Sequence, residues 1–370
     1  MAAAGLMVGG EDVTPYNDEH LSRVRTKYGV RADELADPQQ FTFDSMRHGG
    51  GKGGDLLAFT SDGKYIIKEV GKGDQQTLLR ISAALVQHVC TAPGGSLVAR
   101  FFMHFNRPQD SKDYVVMNNW LPPNDAPGSL EWAEVYDLKG SADDKLLKRH
   151  GKSVPTEHKR CWHVHKYFQC CWTEQRHTYY WGKQHAYDVP FHCTPHDREA
   201  IMQMIEQDAN LMREQGLMDY SIIVGVQRQE NYTPGQDCQF SPSVAEGQPY
   251  IALHERTATA YYLGIIDFLQ DWSGGKKVAM YIKKPVAPQP QSTVPPDEYA
   301  DQFVRHFDRK FVADAQDLPQ PSPGGGGGGG DISAGYGGVD GGAVRPTSAS
   351  VDAAGVRLSM APGGQQGDLI

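Results

Sequence analysis

Two apolar stretches, GLMDYSIIVGV at residues 216–226 and YYLGIIDFLQDW at residues 261–272, set a carboxylate, Asp219 and Asp267 respectively, directly against a run of β-branched and aromatic side chains. Runs of this kind read as buried strands. An unpaired charge inside such an interior costs several kcal/mol, so Asp219 and Asp267 must be paired, hold a metal, or stand where a pocket opens. Asp267 follows the apolar run 262–266 and therefore marks the end of a strand leaving the core. Asp219 is reached from a helix. In CTPHDREAIMQMIEQDANLMREQG, Thr194 suits an N-cap, Ile201, Met204, Ile205, Ala209 and Leu211 or Met212 recur at helical spacing, and Gly216 is a stop.

How much of the chain can build a core is bounded by its last part. Residues 314–370 are rich in Gly, Pro and Ser, with seven consecutive glycines at 324–330, and are expected to be a disordered tail. About 310 residues remain, enough for a two-lobed domain. The opening MAAAGLMVGG lacks the basic segment and long apolar run of a secretory signal, and no stretch approaches the ~18 apolar residues of a membrane span. A soluble or peripheral cytoplasmic protein with reduced cysteines is expected. Four of the six cysteines lie in 161–193, with His163, His165, His177, His185, His192 and His196. Their spacing fits no standard zinc pattern, so an insertion with scattered His and Cys is the preferred reading over a zinc site.

The net charge of −9 argues against nucleic-acid binding, but the charge is unevenly placed. Between Lys145 and Lys166 there are seven Lys or Arg, Lys148 and Arg149 among them, and one acid, Glu157; Lys276, Lys277, Lys283 and Lys284 form a second cluster. On one face these segments would suit an anionic membrane, at about 1 kcal/mol per cation. Separately, each reads as a solvated loop.

In RHGGGKGGDLLAFTSDGKYIIKEV, two strand-like runs flank Asp62-Gly63, a tight-turn pair. The glycines around Gly51, Lys52 and Gly53 would let backbone amides approach a polyanion, although Gly-Gly and a strand after Lys52 exclude a Walker A loop. Lys68 stands on the following strand, where a kinase-like fold keeps the lysine for the α- and β-phosphates. The next helical pattern, DQQTLLRISAALVQHVC, occupies the place of the helix that supplies a glutamate to that lysine, but Gln76 and Thr77 stand where the acid belongs. YVVMNNWLPP then reads as a strand, 114–117, running into a connector, and EVYDLKGSADDK places Asp137 and Lys139 beside Gly140 and Ser141. Two carboxylates at strand ends, a lysine on an earlier strand and a Gly-rich loop together suit phosphoryl transfer.

Taken in order, YDLKGS, MDYSIIVGV, GIIDFL and the KK that follows closely resemble the phosphatidylinositol phosphate kinases. The resemblance runs over residues 12–313 and includes SDGKYIIKEV, VVMNNWLPP and the closing PPDEYADQFVRHF. It implies an α+β, two-lobed kinase-like fold, with an antiparallel-sheet N-lobe over 12–119 and a mixed C-lobe over 120–313. It implies ATP and Mg²⁺ as cofactors: Gly51, Lys52, Gly53 and Lys68 at the phosphates, Met117, Asn118 and Asn119 at the adenine connector, and Asp267 on the metal. Asp219, Lys139 and Asp137 would be catalytic, and Lys276, Lys277, Lys148 and Arg149 would face lipid and membrane.

The implied reaction is transfer of the ATP γ-phosphate to phosphatidylinositol 4-phosphate at the plasma membrane or another inner-leaflet membrane. The second residue after the paired lysines, commonly Glu in 5-kinases and Ala in 4-kinases acting on phosphatidylinositol 5-phosphate, is Ala279 here. The 5-kinase remains the principal reading, because distant single-copy members of the family are mostly 5-kinases. A catalytically silent phosphoinositide-binding scaffold would also keep the basic face while tolerating Asp55 in GKGGD and Gln76. A protein-directed kinase should show HRD and DFG, and the chain has neither. A homodimer is compatible with the family.

Overall fold

The computed structural model describes residues 6–48, 56–121, 123, 129–154, 172–233, 239–241, 250–254, 256–272 and 290–314. The Gly-rich loop, Lys276, Lys277, Ala279 and the C-terminal segment from 315 lie outside the described residues.

The first part of the chain runs β1 (Leu6–Val8), β2 (Glu11–Pro15), α1 (Asp18–Lys27), α2 (Ala32–Ala36), β3 (Arg47–His48), β4 (Leu56–Phe59), β5 (Tyr65–Val70), α3 (Lys72–Thr91), β6 (Phe101–Arg107) and β7 (Lys112–Asn118). Its strands form a seven-stranded sheet ordered β1-β2-β6-β7-β5-β4-β3, antiparallel at every pairing. Between β4 and β5 the Asp62-Gly63 turn closes as the sequence predicts. Gly63 takes φ +69° and donates to Thr60 O, while Asp62 Oδ1 accepts from the Thr60 hydroxyl and the Lys64 amide. Along β5, Tyr65 and Ile67 are buried and Lys68 is half-buried, as alternation requires. Helix α3 buries Leu78, Ile81, Leu85 and Val89, one face at a period of 3.6.

The second part runs β8 (Trp132–Leu138), β9 (Lys145–Arg149), β10 (Lys152–Ser153), α4 (Glu174–Asp188), β11 (Phe191–Cys193), α5 (Pro195–Glu214), β12 (Ser221–Gln229), β13 (Tyr250–His254), β14 (Thr257–Ile266), α6 (Pro296–Lys310) and β15 (Phe311–Ala313). A six-stranded sheet, β10-β9-β8-β12-β14-β13, is antiparallel throughout; β11 and β15 pair in parallel, and an isolated parallel bridge joins Val98 to Ile265 of β14. Helix α5 is the one its sequence announces: the Thr194 hydroxyl accepts from the Asp197 amide at 3.0 Å, Pro195 begins the first turn, and Gly216 leaves at φ +70°.

The two sheets are joined by backbone and by one buried acid. Ile265 in β14 donates to Leu97 O at 2.6 Å, and its own carbonyl accepts from Ala99 at 3.0 Å. Asp208 of α5, fully buried, accepts from the Leu97 amide at 2.7 Å and the Ser96 hydroxyl at 2.8 Å, and lies 2.6 Å from His88 Nε2 of α3. Burial raises its carboxyl pKa, although these partners oppose the shift.

Two strand glycines have a packing reason. A Cβ on Gly264 would lie 2.2 Å from the Trp120 ring, and one on Gly225 would lie 2.5 Å from Leu121 and 2.6 Å from Trp132. The absent side chains let the connector's indole lie flat on β14. Gly264→Ala is expected to lower stability by about 3 kcal/mol, the cost of overpacking a closed interior. A urea midpoint equal to the wild type would contradict it.

His104 of β6 is 1 % exposed; among the described residues neither ring nitrogen has a hydrogen-bond partner, and the ring packs 4.8 Å from Tyr16. Burial pushes its pKa from 6.5 down to about 4, against the pull of Asp113. The unfolded chain therefore takes up this proton first. The associated stability is complete above about pH 6.5 and falls as pH drops towards 4, by about 3 kcal/mol in all. His104→Phe should lose less stability than the wild type between pH 7 and 4.5 in paired urea melts; equal losses would refute this.

Candidate active site

Strand register places the two embedded carboxylates. In the β12–β14 ladder Ser221 pairs with Ile266, so Asp219, two residues before Ser221, and Asp267, directly after Ile266, emerge at the same end of the sheet. In the β12–β8 ladder Ile222 pairs with Leu138, which brings Lys139 to that edge as well. Adjacent strands are about 4.8 Å apart, so these three side chains share one rim.

Both acids sit on left-handed backbone, at φ 63° for Asp219 and φ 55° for Asp267. Among non-glycine residues Asp and Asn tolerate this region best. Asp219 is held from both sides. Its neighbours Met218 and Tyr220 are fully buried, and Met218 donates to Gln270 O at 3.0 Å. Lys139 Nζ donates to Asp219 Oδ1 at 2.8 Å and to its carbonyl at 2.6 Å. Lys139 is itself fixed by its amide, which donates to Asp144 Oδ1 at 2.7 Å. Tyr299 of α6 donates its hydroxyl to Tyr220 O and lies 3.2 Å from Lys139 O.

Asp267 is more open, with a side chain 57 % exposed. Lys68 Nζ, from the other sheet, reaches its Oδ1 at 3.1 Å. Asp137 is deeper, 8 % exposed on β8, with Lys145 Nζ 2.7 Å from its Oδ2. Burial opposes its ionisation, but Lys145 and Lys139 outweigh burial and hold the carboxyl below the ordinary range.

That pairing corrects part of the expected basic face, since Lys145 turns inward to Asp137. Lys148 is half-buried, and desolvation lowers its pKa against Glu131, whereas Arg149 is exposed with its guanidinium 4.3 Å over the Trp181 ring. Met117, Asn118 and Asn119 are buried. Their polar groups shape the connector: Asn118 Oδ1 accepts from the Arg100 amide at 2.7 Å, and the Asn119 amide and Nδ2 donate to Lys64 O and Gly63 O at 2.8 and 2.9 Å. No group of three or more potential metal-ligating His, Cys, Asp or Glu exists among the described residues. Cys193 is a buried thiol, its pKa pushed up to about 11 by burial.

Sequence reasoning missed three supporting residues. Asp144 lies five residues beyond Lys139 and caps its backbone, and the second Asp of the run SADDK was its only signal. Tyr299 and Asp271 act across 79 and 194 residues of chain, on Tyr220 and Thr77, with no local periodicity to announce them.

Comparison with known proteins adds to this geometry. A probable phosphatidylinositol phosphate kinase of Dictyostelium discoideum is 25 % identical over 315 residues, covering 68 % of this chain and 40 % of its own. A phosphatidylinositol 4-phosphate 5-kinase of Plasmodium falciparum is 24 % identical over 326 residues, covering 77 % of this chain and 17 % of its own. A phosphatidylinositol 5-phosphate 4-kinase type-2 gamma of Danio rerio is 22 % identical over 339 residues, covering 78 % of this chain and 74 % of its own. The chain thus spans well under half the length of the first two relatives. The sequence model described as Phosphatidylinositol-4-phosphate 5-Kinase matches residues 42–248 and 235–310, a span that contains Lys68, Lys139, Asp219 and Asp267, and the chain accordingly belongs to the phosphatidylinositol phosphate kinase family.

Proposed function

We propose that this chain is an ATP-dependent lipid kinase that transfers the γ-phosphate to phosphatidylinositol 4-phosphate, giving phosphatidylinositol 4,5-bisphosphate. The supporting observation is the pair of cross-element contacts at one sheet edge, Lys68 to Asp267 and Lys139 to Asp219. The seven-stranded sheet with its helices is read as the N-lobe, 12–119, and the six-stranded sheet as the C-lobe, 120–313. The ATP phosphates lie between them.

Within this reading each residue has a chemical role. Asp219, anchored by Lys139 at two oxygens, orients the attacking inositol hydroxyl and accepts its proton. Lys68 offers its ammonium to the α- and β-phosphates. Asp137 remains ionised behind Lys139 and keeps the local field balanced. Met117, Asn118 and Asn119 shape the adenine connector, and Gly51, Lys52 and Gly53 cover the phosphates.

The exposed carboxylate of Asp267 is a hard oxygen donor of the kind Mg²⁺ takes alongside phosphate oxygens, and Asp219 stands on the same rim. Mg²⁺ bound there would neutralise charge on the phosphates. Lys276, Lys277 and Arg149 would contact the anionic headgroup and bilayer at a peripheral cytoplasmic face, Lys148 contributing less because it is half-buried. No helix among the described residues is long and apolar enough to cross a membrane.

Phosphatidylinositol 5-phosphate as substrate is the second reading, favoured by Ala279 and by the resemblance to the Danio protein. Headgroup analysis after incubation with ATP, Mg²⁺ and vesicles of either monophosphate is the test. Product from phosphatidylinositol 4-phosphate is expected. Product only from the 5-phosphate would give the second reading, and vesicle binding without transfer would leave a scaffold.

A further inference from the structure

Phosphoryl-transfer sites of this layout usually tie the strand lysine to a glutamate on the helix behind it, which fixes the helix against the nucleotide. Here that helix is α3, and Gln76 and Thr77 stand where the acid is expected. A carboxylate also reaches this helix from the opposite side. Asp271 Oδ2 lies 2.9 Å from the hydroxyl of Thr77, a residue 2 % exposed, which shares its proton with Gly73 O at 3.1 Å. Asp271 Oδ1 accepts from Arg80 Nη2, and Arg80 Nη1 donates to Gln215 O at 3.1 Å.

The backbone around Asp271 is fastened to the turn that carries Asp219. Leu217 bridges to Asp271, Met218 donates to Gln270 O at 3.0 Å, and Trp272 donates to Gly216 O at 3.2 Å. Asp271 lies four residues beyond Asp267 and therefore joins three pieces: α3 through Thr77 and Arg80, the Asp267 segment through the chain, and the Asp219 turn through the bridge. We propose that Asp271 is a positioning residue that ties α3 to the active-site rim, holding α3 and the preceding Lys68 strand in register with both carboxylates. Its effect is transmitted through α3, by Thr77 and Arg80, and through the chain to Asp267.

This inference rests on the kinase reading, and the experiment separates the two. The full chain is compared with Asp271→Ala, Asp271→Asn, Arg80→Gln and the Arg80→Gln/Asp271→Asn double variant. The readouts are kcat and KM for ATP on the monophosphate the wild type uses, and amide hydrogen exchange over 73–81. Asp271→Ala should lower kcat by about 10-fold, as misplacement of reacting groups does, with a smaller change in KM. Asp271→Asn keeps an acceptor for Thr77 and should lose less.

The double variant should lose clearly less than the sum of the two single losses, because both members share the Arg80–Asp271 contact. Exchange in the first turns of α3 should accelerate in Asp271→Ala. A wild-type kcat together with unchanged exchange would overturn the inference, as would a lower melting point with kcat per folded molecule unaltered. If the wild type itself transfers no phosphate, the kinase reading fails; faster exchange in Asp271→Ala would then still support the tether of α3, and unchanged exchange would end it.

Discussion

Asp267→Asn is expected to reduce phosphoryl transfer by about 10³-fold, about 4 kcal/mol of transition-state stabilisation, while leaving the urea midpoint where it is. The argument for intact folding is local. The side chain is 57 % exposed, Lys68 is its ion-pair partner, and an ion pair so open to water contributes little stability. Asparagine keeps the size of the side chain and tolerates the φ of 55° that residue 267 adopts. What it loses is the negative charge that would hold a divalent cation against the phosphates of ATP. Asp267→Ala should lose the same activity and in addition about 1 kcal/mol of stability, because a Cβ-bearing residue without a local acceptor fits the left-handed region poorly. Activity of Asp267→Asn within a few-fold of the wild type would remove Asp267 from the metal site and the proposed function with it.

How much of this was legible in the sequence follows the range of each interaction. The Asp62-Gly63 turn, the Thr194 cap and the apolar face of α5 rest on neighbours within four residues, and their spacing shows them directly. The position of Asp219 and Asp267 at strand ends was also readable, because a lone carboxylate interrupts each apolar run. That both ends lie on one rim depends on antiparallel register over β12 and β14, which no local pattern encodes.

Side-chain pairings across long separations were opaque for the same reason. The basic run 145–166 gave no sign that Lys145 would fold back onto Asp137, because the pairing is set by a β8–β9 ladder with a register shift between Val135 and Tyr136. Asp208 reads as a polar interruption on an amphipathic helix. Its role as the buried acceptor for Ser96 and Leu97 exists only once α5 is packed against a segment more than 100 residues earlier. Glycines 225 and 264 carry no local signal of their role, because the Trp120 ring that explains Gly264 comes from the connector.

The second large effect is expected at Asp219 and separates proton transfer from binding. Asp219→Asn should lower kcat by about 10²- to 10⁴-fold, the usual range for loss of a positioned base, with KM for ATP within a few-fold of the wild type. Asn again suits the backbone, here φ 63°, so folding should survive. Lys139→Met tests the support behind it: Nζ donates to both Asp219 Oδ1 and the Asp219 carbonyl, so its removal frees the side chain and the turn together. Lys139→Met alone should therefore also depress kcat, by about 10²-fold, since reacting groups held loosely lose the advantage of fixed orientation. In the double variant the losses should fall well short of adding, because Lys139 acts through the carboxylate that Asp219→Asn has already neutralised. Full additivity would mean that Lys139 touches the phosphates independently of Asp219, and an unchanged kcat in Asp219→Asn would move the base to another residue altogether.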